Sequence, residues 1–189
     1  MKKIVLFQGI LLAALLVLPA PALLQDLSWQ QFRGFDVPFV PTPTEVVDEM
    51  LRLAEVGAGD VLYDLGCGDG RIVILAAQKY GARGVGVDID PQRIEEAEVA
   101  ARTAGVEKSV IFRVQDAMSV NLRSATVVTL YLLPESNALL RPLLESQLKP
   151  GSRVVSHNYP IPGWEDKRVE SATVKDPASE EHSIFLYRR

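Results

Sequence analysis

The segment Tyr63-Asp64-Leu65-Gly66-Cys67-Gly68-Asp69-Gly70 sets three glycines at alternate positions beside two carboxylates, and Val85-Gly86-Val87-Asp88 follows it. Glycines in a turn let a ligand approach the backbone because no Cβ stands in the way. A helix starting just after the turn adds unpaired N–H groups. The spacing departs from the GxGxxG that cradles a dinucleotide pyrophosphate. Asp64 and Asp69 in such a loop repel a pyrophosphate and tolerate a ligand that carries positive charge. Asp88 closes the next apolar run, where an acidic side chain accepts the hydroxyls of a ribose, and Ile89 stands beside it. Asp116 comes just past a third apolar run and is placed to reach an adenine amino group, with Ala117 and Met118 adjoining. Asp64, Gly66, Gly68, Asp69, Gly70, Asp88, Ile89, Asp116 and Ala117 are thus the candidate contacts of a nucleoside with a cationic arm.

These residues need a scaffold that brings strand ends together. Val61 to Leu65 reads as a strand, the glycine loop follows, and Ile72 to Lys79 reads as a buried helix. The unit repeats with Gly84 to Val87 as strand and Pro91 to Ala104 as helix, Pro91 at a first-turn position where its missing N–H costs nothing. Val110 to Val114 and Ala125 to Leu130 are further strands. Glu135 to Leu148 is a helix, and Arg153 to Ser156 is a strand entered through the Pro150-Gly151 turn. Upstream, Thr44 can cap a helix from Glu45 to Ala54 whose Val46, Val47, Met50, Leu51 and Ala54 share one face. Alternating strands and helices predict an α/β, Rossmann-like, mostly parallel sheet with helices on both faces. Arg168 to Val174 and Ser183 to Tyr187 are joined too closely for a parallel crossover, so they predict an antiparallel final strand in a seven-stranded sheet.

A nucleoside bearing a methionine ammonium and a sulfonium satisfies the loop, and the expected cofactor is S-adenosylmethionine. Phe39-Val40-Pro41-Thr42-Pro43-Thr44-Glu45-Val46-Val47, the glycine loop with Arg71-Ile72, Thr129-Leu130-Tyr131-Leu132-Leu133, and Lys149-Pro150-Gly151-Ser152-Arg153-Val154-Val155-Ser156-His157 narrow the choice. Within class I methyltransferases, these segments resemble the small archaeal broad-specificity protein-lysine methyltransferases. The mitochondrial enzymes acting on the ATP synthase c-subunit and the adenine nucleotide translocase look like more distant relatives. The resemblance covers Phe39 to the C-terminus and implies direct in-line methyl transfer to a lysine amine of a protein partner. A small-molecule or lipid-like acceptor and a non-catalytic binding module are the competing readings. Tyr131, at the carboxyl end of the fourth strand, is the candidate for the acceptor channel, and Thr42 and Thr44 are placed to close over the methionine end. His157 either lines the same mouth or is structural. Trp164 either belongs to a substrate-side lid or covers the sheet edge. Cys67 reads as a small residue in a tight turn, not a nucleophile.

Composition bounds the rest. Of 189 residues, 48% are hydrophobic and 23% charged, which describes one globular domain rather than a disordered chain. The 20 basic and 24 acidic residues leave a net charge of −4 with no Lys/Arg block, so no nucleic-acid partner is expected. One cysteine permits no intramolecular disulfide and no cysteine-rich zinc site, and no metal is expected. Lys2 and Lys3 before the apolar run Ile4 to Leu18, then Ala20-Pro21-Ala22, predict a signal peptide or membrane anchor over residues 1–22. An extended arm over 23–44, rich in proline and phenylalanine, then leads into a methyltransferase domain over 45–189. That leader predicts an exported or membrane-anchored protein, set against a cofactor made in the cytoplasm.

Overall fold

The computed structural model describes residues 39–189. The expected leader over 1–22 and all but the end of the arm over 23–44 lie outside the described residues. Among the described residues no helix is long and apolar enough to cross a membrane.

The elements follow one another as α1 (Thr44–Leu53), β1 (Val61–Leu65), α2 (Arg71–Tyr80), β2 (Arg83–Asp88), α3 (Pro91–Thr103), β3 (Val110–Val114), β4 (Val127–Leu130), α4 (Pro134–Gln147), β5 (Arg153–His157), β6 (Arg168–Lys175) and β7 (Glu181–Arg188). Short 3-10 turns occupy Ala117–Ser119 and Glu165–Lys167. The seven strands form one sheet in the order β3-β2-β1-β4-β5-β7-β6, parallel from β3 through β5. Strand β7 runs antiparallel to both β5 and β6.

Period-2 alternation sorts the strands between two cores. Leu62, Val127, Val155, Ile184 and Leu186 face one side, against Val46, Val47, Met50 and Leu51 of α1, Ile72 and Val73 of α2, and Ile94 and Ala97 of α3. Tyr63, Leu65, Val128, Leu130, Val154 and Tyr187 face the other, against Leu140 and Leu144 of α4 and the Val120–Ala125 segment. Burying one such leucine fully is worth ~2 kcal/mol, so the central strands are held from both faces. Strand ends nonetheless stay open to solvent at the carboxyl edge, where Tyr131, Asp116 and Asp88 remain only partly covered.

One expected cap is corrected. Pro43, not Thr44, is the N-cap of α1; Thr44 is the first helical residue, exposed, and no side-chain hydrogen bond closes that end. Pro43 carries the extended backbone that a cap requires, so the helix starts one residue earlier than the hydroxyl pattern suggests. Trp164 is also resolved: it is 0% exposed in the second core, tilted on Tyr187 at 5.8 Å, with its indole N–H donating to Glu145 Oε1 at 2.7 Å. A lid residue would not be part of the core, so covering the sheet is what it does.

Candidate functional site

The chain order reverses around β1, which lies between β2 and β4, and the carboxyl ends of β1, β2 and β4 meet there. Open α/β sheets bind ligands at such a crevice. The glycine loop is stitched over it from below: the N–H groups of Gly66 and Cys67 both donate to Val87 O at 2.9 Å. Asp88 completes the stitching. Its Oδ2 accepts the Gly68 N–H at 2.9 Å and its Oδ1 accepts the Asp90 N–H at 3.0 Å. A carboxylate oxygen has two lone pairs, so each Asp88 oxygen keeps one for a ligand hydroxyl. Asp116 is brought next to it through the Gln115 N–H bond to Asp88 O at 2.9 Å, and its Oδ1 caps the Ala117–Ser119 turn by accepting the Met118 N–H at 2.8 Å. Ile89, 72% exposed, stands clear of the core beside Asp88.

Gly70 caps α2 in the left-handed region at φ 77, and a Cβ there would meet the Phe112 ring at 2.6 Å and Ala97 Cβ at 2.8 Å. Over Gly68 lies the Phe39 ring, itself faced by the Arg93 guanidinium at 5.0 Å from its centroid. Cys67 is buried, and burial with the neighbouring Asp64 and Asp88 carboxylates pushes its thiol far above the ordinary range. A thiol so held stays protonated and inert.

The two loop carboxylates differ. Asp64 is 2% exposed and faces Thr129, its register partner on β4, whose hydroxyl donates to Asp64 Oδ1 at 2.7 Å. Burial pushes its carboxyl up to about 7; the Thr129 bond works against that shift, and the nearby Asp88 and Asp69 charges add to it. Asp69 is also half-buried, but Arg71 outweighs the burial and holds it below the usual carboxylate range. The Arg71 fork spans it, Nε donating to Oδ1 at 2.9 Å and Nη2 to Oδ2 at 2.6 Å. The expectation that both carboxylates offer free negative charge to a cation therefore narrows: Asp69 is already paired, and Asp64 is the one whose ionisation awaits a positive neighbour. Arg71 was not among the expected site residues. Its signal was its place two residues after Asp69 at the first turn of a helix, where a basic side chain can fold back.

This arrangement makes a pH prediction. Asp64 has a folded pKa near 7 against an unfolded value of 3.8, so its contribution to stability is full at low pH and is lost as pH rises through 7. His157 has the opposite sign, its pKa lowered to about 4, so its contribution is present above its ordinary value of 6.5 and is lost as pH falls through 4. Between pH 6.5 and 8 only the Asp64 slope remains of the two. The stability of the ligand-free protein, read from its thermal melts, is expected to fall across that window by about 1 kcal/mol, nearly all of it before the Asp64 carboxyl has finished titrating, and Asp64→Asn is expected to flatten the slope. Parallel slopes for the two proteins would refute the assignment.

Beside the glycine loop, the carboxyl ends of β4 and β5 carry Tyr131 and His157. Their ring centroids are 3.9 Å apart, and Tyr159 stacks on Tyr131 at 6.5 Å. His157 is 0% exposed; burial and the adjacent His182 lower its pKa to about 4, so the ring is neutral at neutral pH. Its Nδ1 lies 3.2 Å from Thr42 Oγ1. Thr42 links the two halves, because its carbonyl accepts from Arg71 Nη1 at 3.0 Å. The structure thus brings Tyr131 to the mouth of the cleft with His157 and Thr42 buried behind it, while Thr44 is exposed at the start of α1. Asn137, buried on α4, donates to Ser156 Oγ and to the carbonyls of Tyr159 and Pro160 at 3.2–3.4 Å, fixing the turn that carries Tyr159.

Comparison with known proteins gives consistent results. A family model described as the ANTKMT methyltransferase domain matches residues 64–168. A protein-lysine N-methyltransferase of Saccharolobus islandicus is 45% identical over 152 residues, covering 80% of this chain and 92% of that one. The adenine nucleotide translocase lysine N-methyltransferase of Mus musculus is 37% identical over 134 residues, 70% of this chain and 58% of that protein. Among solved structures, an RNA methyltransferase from Salinibacter ruber in complex with S-adenosyl-L-homocysteine superposes with a TM-score of 0.72 at 48% identity, covering 79% of this chain and 93% of that one.

Proposed function

We propose, for a chain that belongs to the ANTKMT methyltransferase domain family and is an S-adenosylmethionine-dependent methyltransferase, that the methyl acceptor is the side-chain amine of a protein lysine. The observation that carries this reading is the aromatic mouth of Tyr131 and Tyr159, backed by the buried His157 ring, beside the glycine loop. A lysine entering it meets ring faces that attract its ammonium. It meets no carboxylate among the groups that bond or stack on His157, which are Thr42, Tyr131 and His182. A lysine with an ordinary pKa of about 10.4 loses its proton more easily when it is buried away from negative charge.

The residues present fit the cofactor. The loop is held without side chains at two of its turns, since a Cβ at Gly68 would strike the Phe39 ring and one at Gly70 the Phe112 ring and Ala97, and the buried Asp64 carboxyl gains an ionised form when a cation arrives. In this reading Asp88 holds the ribose hydroxyls, Asp116 and Ala117 meet the adenine, Ile89 covers its ring, and Thr42 closes the methionine end. When bound, the cofactor would supply a methyl group on a cationic sulfur to a neutral amine, with the thioether as leaving group. The chain itself aligns the two reactants and excludes water, which is where most of the rate of a direct displacement comes from. Tyr131 orients the amine and the buried core beneath it keeps the mouth dry.

A second reading, RNA as acceptor, is favoured by the likeness to the Salinibacter ruber RNA methyltransferase. Against it stands the balance of 20 basic to 24 acidic residues, which gives no stripe for phosphates. Incubation with radiolabelled cofactor and three separated cell fractions, denatured protein, total RNA and lipid extract, decides among them. Label in protein, recovered as methyl-lysine after acid hydrolysis, is the expected result. Label in RNA that nuclease releases, or in lipid with none in protein, would sink the lysine reading.

A further inference from the structure

Only two histidines occur in the chain, and the structure puts them in contact with each other. His157 Nε2 lies 3.0 Å from His182 Nδ1, although the two residues are not register partners: His157 on β5 faces Ile184 of β7, while His182 sits opposite Val174 of β6. Beyond His182 the chain of polar groups continues. Its Nε2 is buried, lies 3.5 Å from Asp176 Oδ2, and has no hydrogen-bond partner among the described residues. Asp176 is held in place by the turn between β6 and β7, its Oδ1 accepting the Glu180 N–H at 2.8 Å and its carbonyl accepting from Ser179 at 2.9 Å. At the other end His157 Nδ1 meets Thr42 Oγ1 at 3.2 Å.

A carboxylate only accepts hydrogen bonds, and this fixes every tautomer in the row. Asp176 next to His182 Nε2 favours the proton on that nitrogen, which leaves His182 Nδ1 bare. His157 must then donate from Nε2, so its Nδ1 is bare and accepts the hydroxyl proton of Thr42. The Thr42 oxygen is left with its lone pairs for a donor in the cleft. We propose that Thr42, His157 and His182, hydrogen-bonded in a row and facing Asp176 across 3.5 Å, form a one-way relay that carries the proton of the incoming amine from the cleft to the β6–β7 turn.

The proton balance follows the row. The ammonium N–H proton passes to Thr42 Oγ1 as the Thr42 proton passes to His157 Nδ1. His157 Nε2 releases its proton to His182 Nδ1, and His182 Nε2 releases its own to Asp176, which passes it on to solvent. The neutral amine left behind is the nucleophile. The low pKa of His157 makes it a poor resting place for the charge, which suits a conductor rather than a store. The groups that face the row are few. Tyr131 stacks on His157, and the Asp176 and Glu180 carboxylates lie around His182 with ligand atoms within 4.8 Å of one another. Both carboxylates favour a proton arriving at the outer end. His157 and His182 act through Thr42 and are positioning residues.

This inference rests on the lysine reading, and the experiment keeps the two apart. Imidazole tautomers are read directly by nitrogen NMR, and with two histidines the spectrum has no overlap. Both rings are expected to carry a proton on Nε2 with His157 Nδ1 and His182 Nδ1 bare, and Asp176→Asn is expected to disturb the tautomer of His182. A proton on His182 Nδ1 in the parent protein would overturn the relay. Kinetics supply the second arm, with a lysine peptide and the same peptide carrying an aminooxy side chain, which is already neutral at pH 7. Asp176→Asn and His182→Gln are each expected to lower kcat on the lysine peptide about tenfold or more, with KM within about twofold, and to move the pH profile upward. On the aminooxy peptide their deficit is expected to vanish. Equal loss on both peptides means a structural role and overturns the relay, as does no loss on either. A parent protein that methylates RNA and no lysine peptide would overturn the acceptor reading and the relay together.

Discussion

Asp88→Ala is expected to weaken S-adenosylmethionine binding about 100-fold, measured by calorimetric titration. Two effects add. The ribose hydroxyls lose an ionised acceptor, and hydrogen bonds to a charged group are worth roughly 1.5–3 kcal/mol, while each tenfold in affinity is 1.4 kcal/mol. The loop also loses its staples, since Asp88 accepts the backbone N–H groups of Gly68 and Asp90. Asp88→Asn separates the contributions. Its amide keeps one acceptor oxygen and offers two N–H groups where the backbone also donates, so a loss close to that of alanine is expected if stapling dominates. A milder loss is expected if the ribose does. Unchanged affinity in Asp88→Ala would show that the ribose is not held there.

The second large effect is on stability. Gly70→Ala puts a side chain at φ 77 and drives its Cβ into the Phe112 ring and Ala97 at 2.6–2.8 Å. A left-handed backbone costs an L-residue roughly 1–2 kcal/mol, and overpacking a core adds roughly 1–3 kcal/mol. The sum of about 3 kcal/mol corresponds to a fall in Tm of about 10 °C for a domain of this size. Gly105→Ala is the internal comparison, because it has φ 71 but nothing within 4 Å of its Cβ position. It is expected to show the backbone cost alone, a fall of a few degrees. Equal falls for the two variants would remove the packing argument.

The glycine-loop half of the site was legible because it is local. Asp64, the three loop glycines and Asp88 sit within two consecutive strand–turn–helix units, and the β1 and β3 bounds expected from apolar runs match Val61–Leu65 and Val110–Val114. Where the pattern slipped, a turn competed with a strand. Ala125 was expected to open β4, but its N–H bonds Leu122 O in a turn and the strand begins at Val127. Thr44 carried the hydroxyl of a cap while Pro43 carried its backbone. The other half is non-local. The Thr42–His157 contact spans 115 residues of sequence, and the His157–His182 contact crosses two strands that are not in register at those positions. No periodicity reports a pair of that kind. Arg71 shows the remaining gap: its partner Asp69 was noted for its charge, and nothing in the spacing said that the charge was already taken.

The placement of the last strand has a consequence for synthesis. Strand β7 lies between β5 and β6, so the residues of β6 are made before the strand they pair with. At roughly 5–20 residues per second, Arg168–Lys175 is made about a second before Glu181–Arg188, and it has no partner strand until β7 folds in between it and β5. That is the interval in which a nascent chain is open to pairing with the wrong neighbour. Arg168, Glu170 and Lys175 put charge of both signs along the waiting segment, and its side chains stay mostly exposed even in the finished sheet. A strand so written has little to gain from a hydrophobic stranger, and it adds itself to the molecule only when its own last strand arrives.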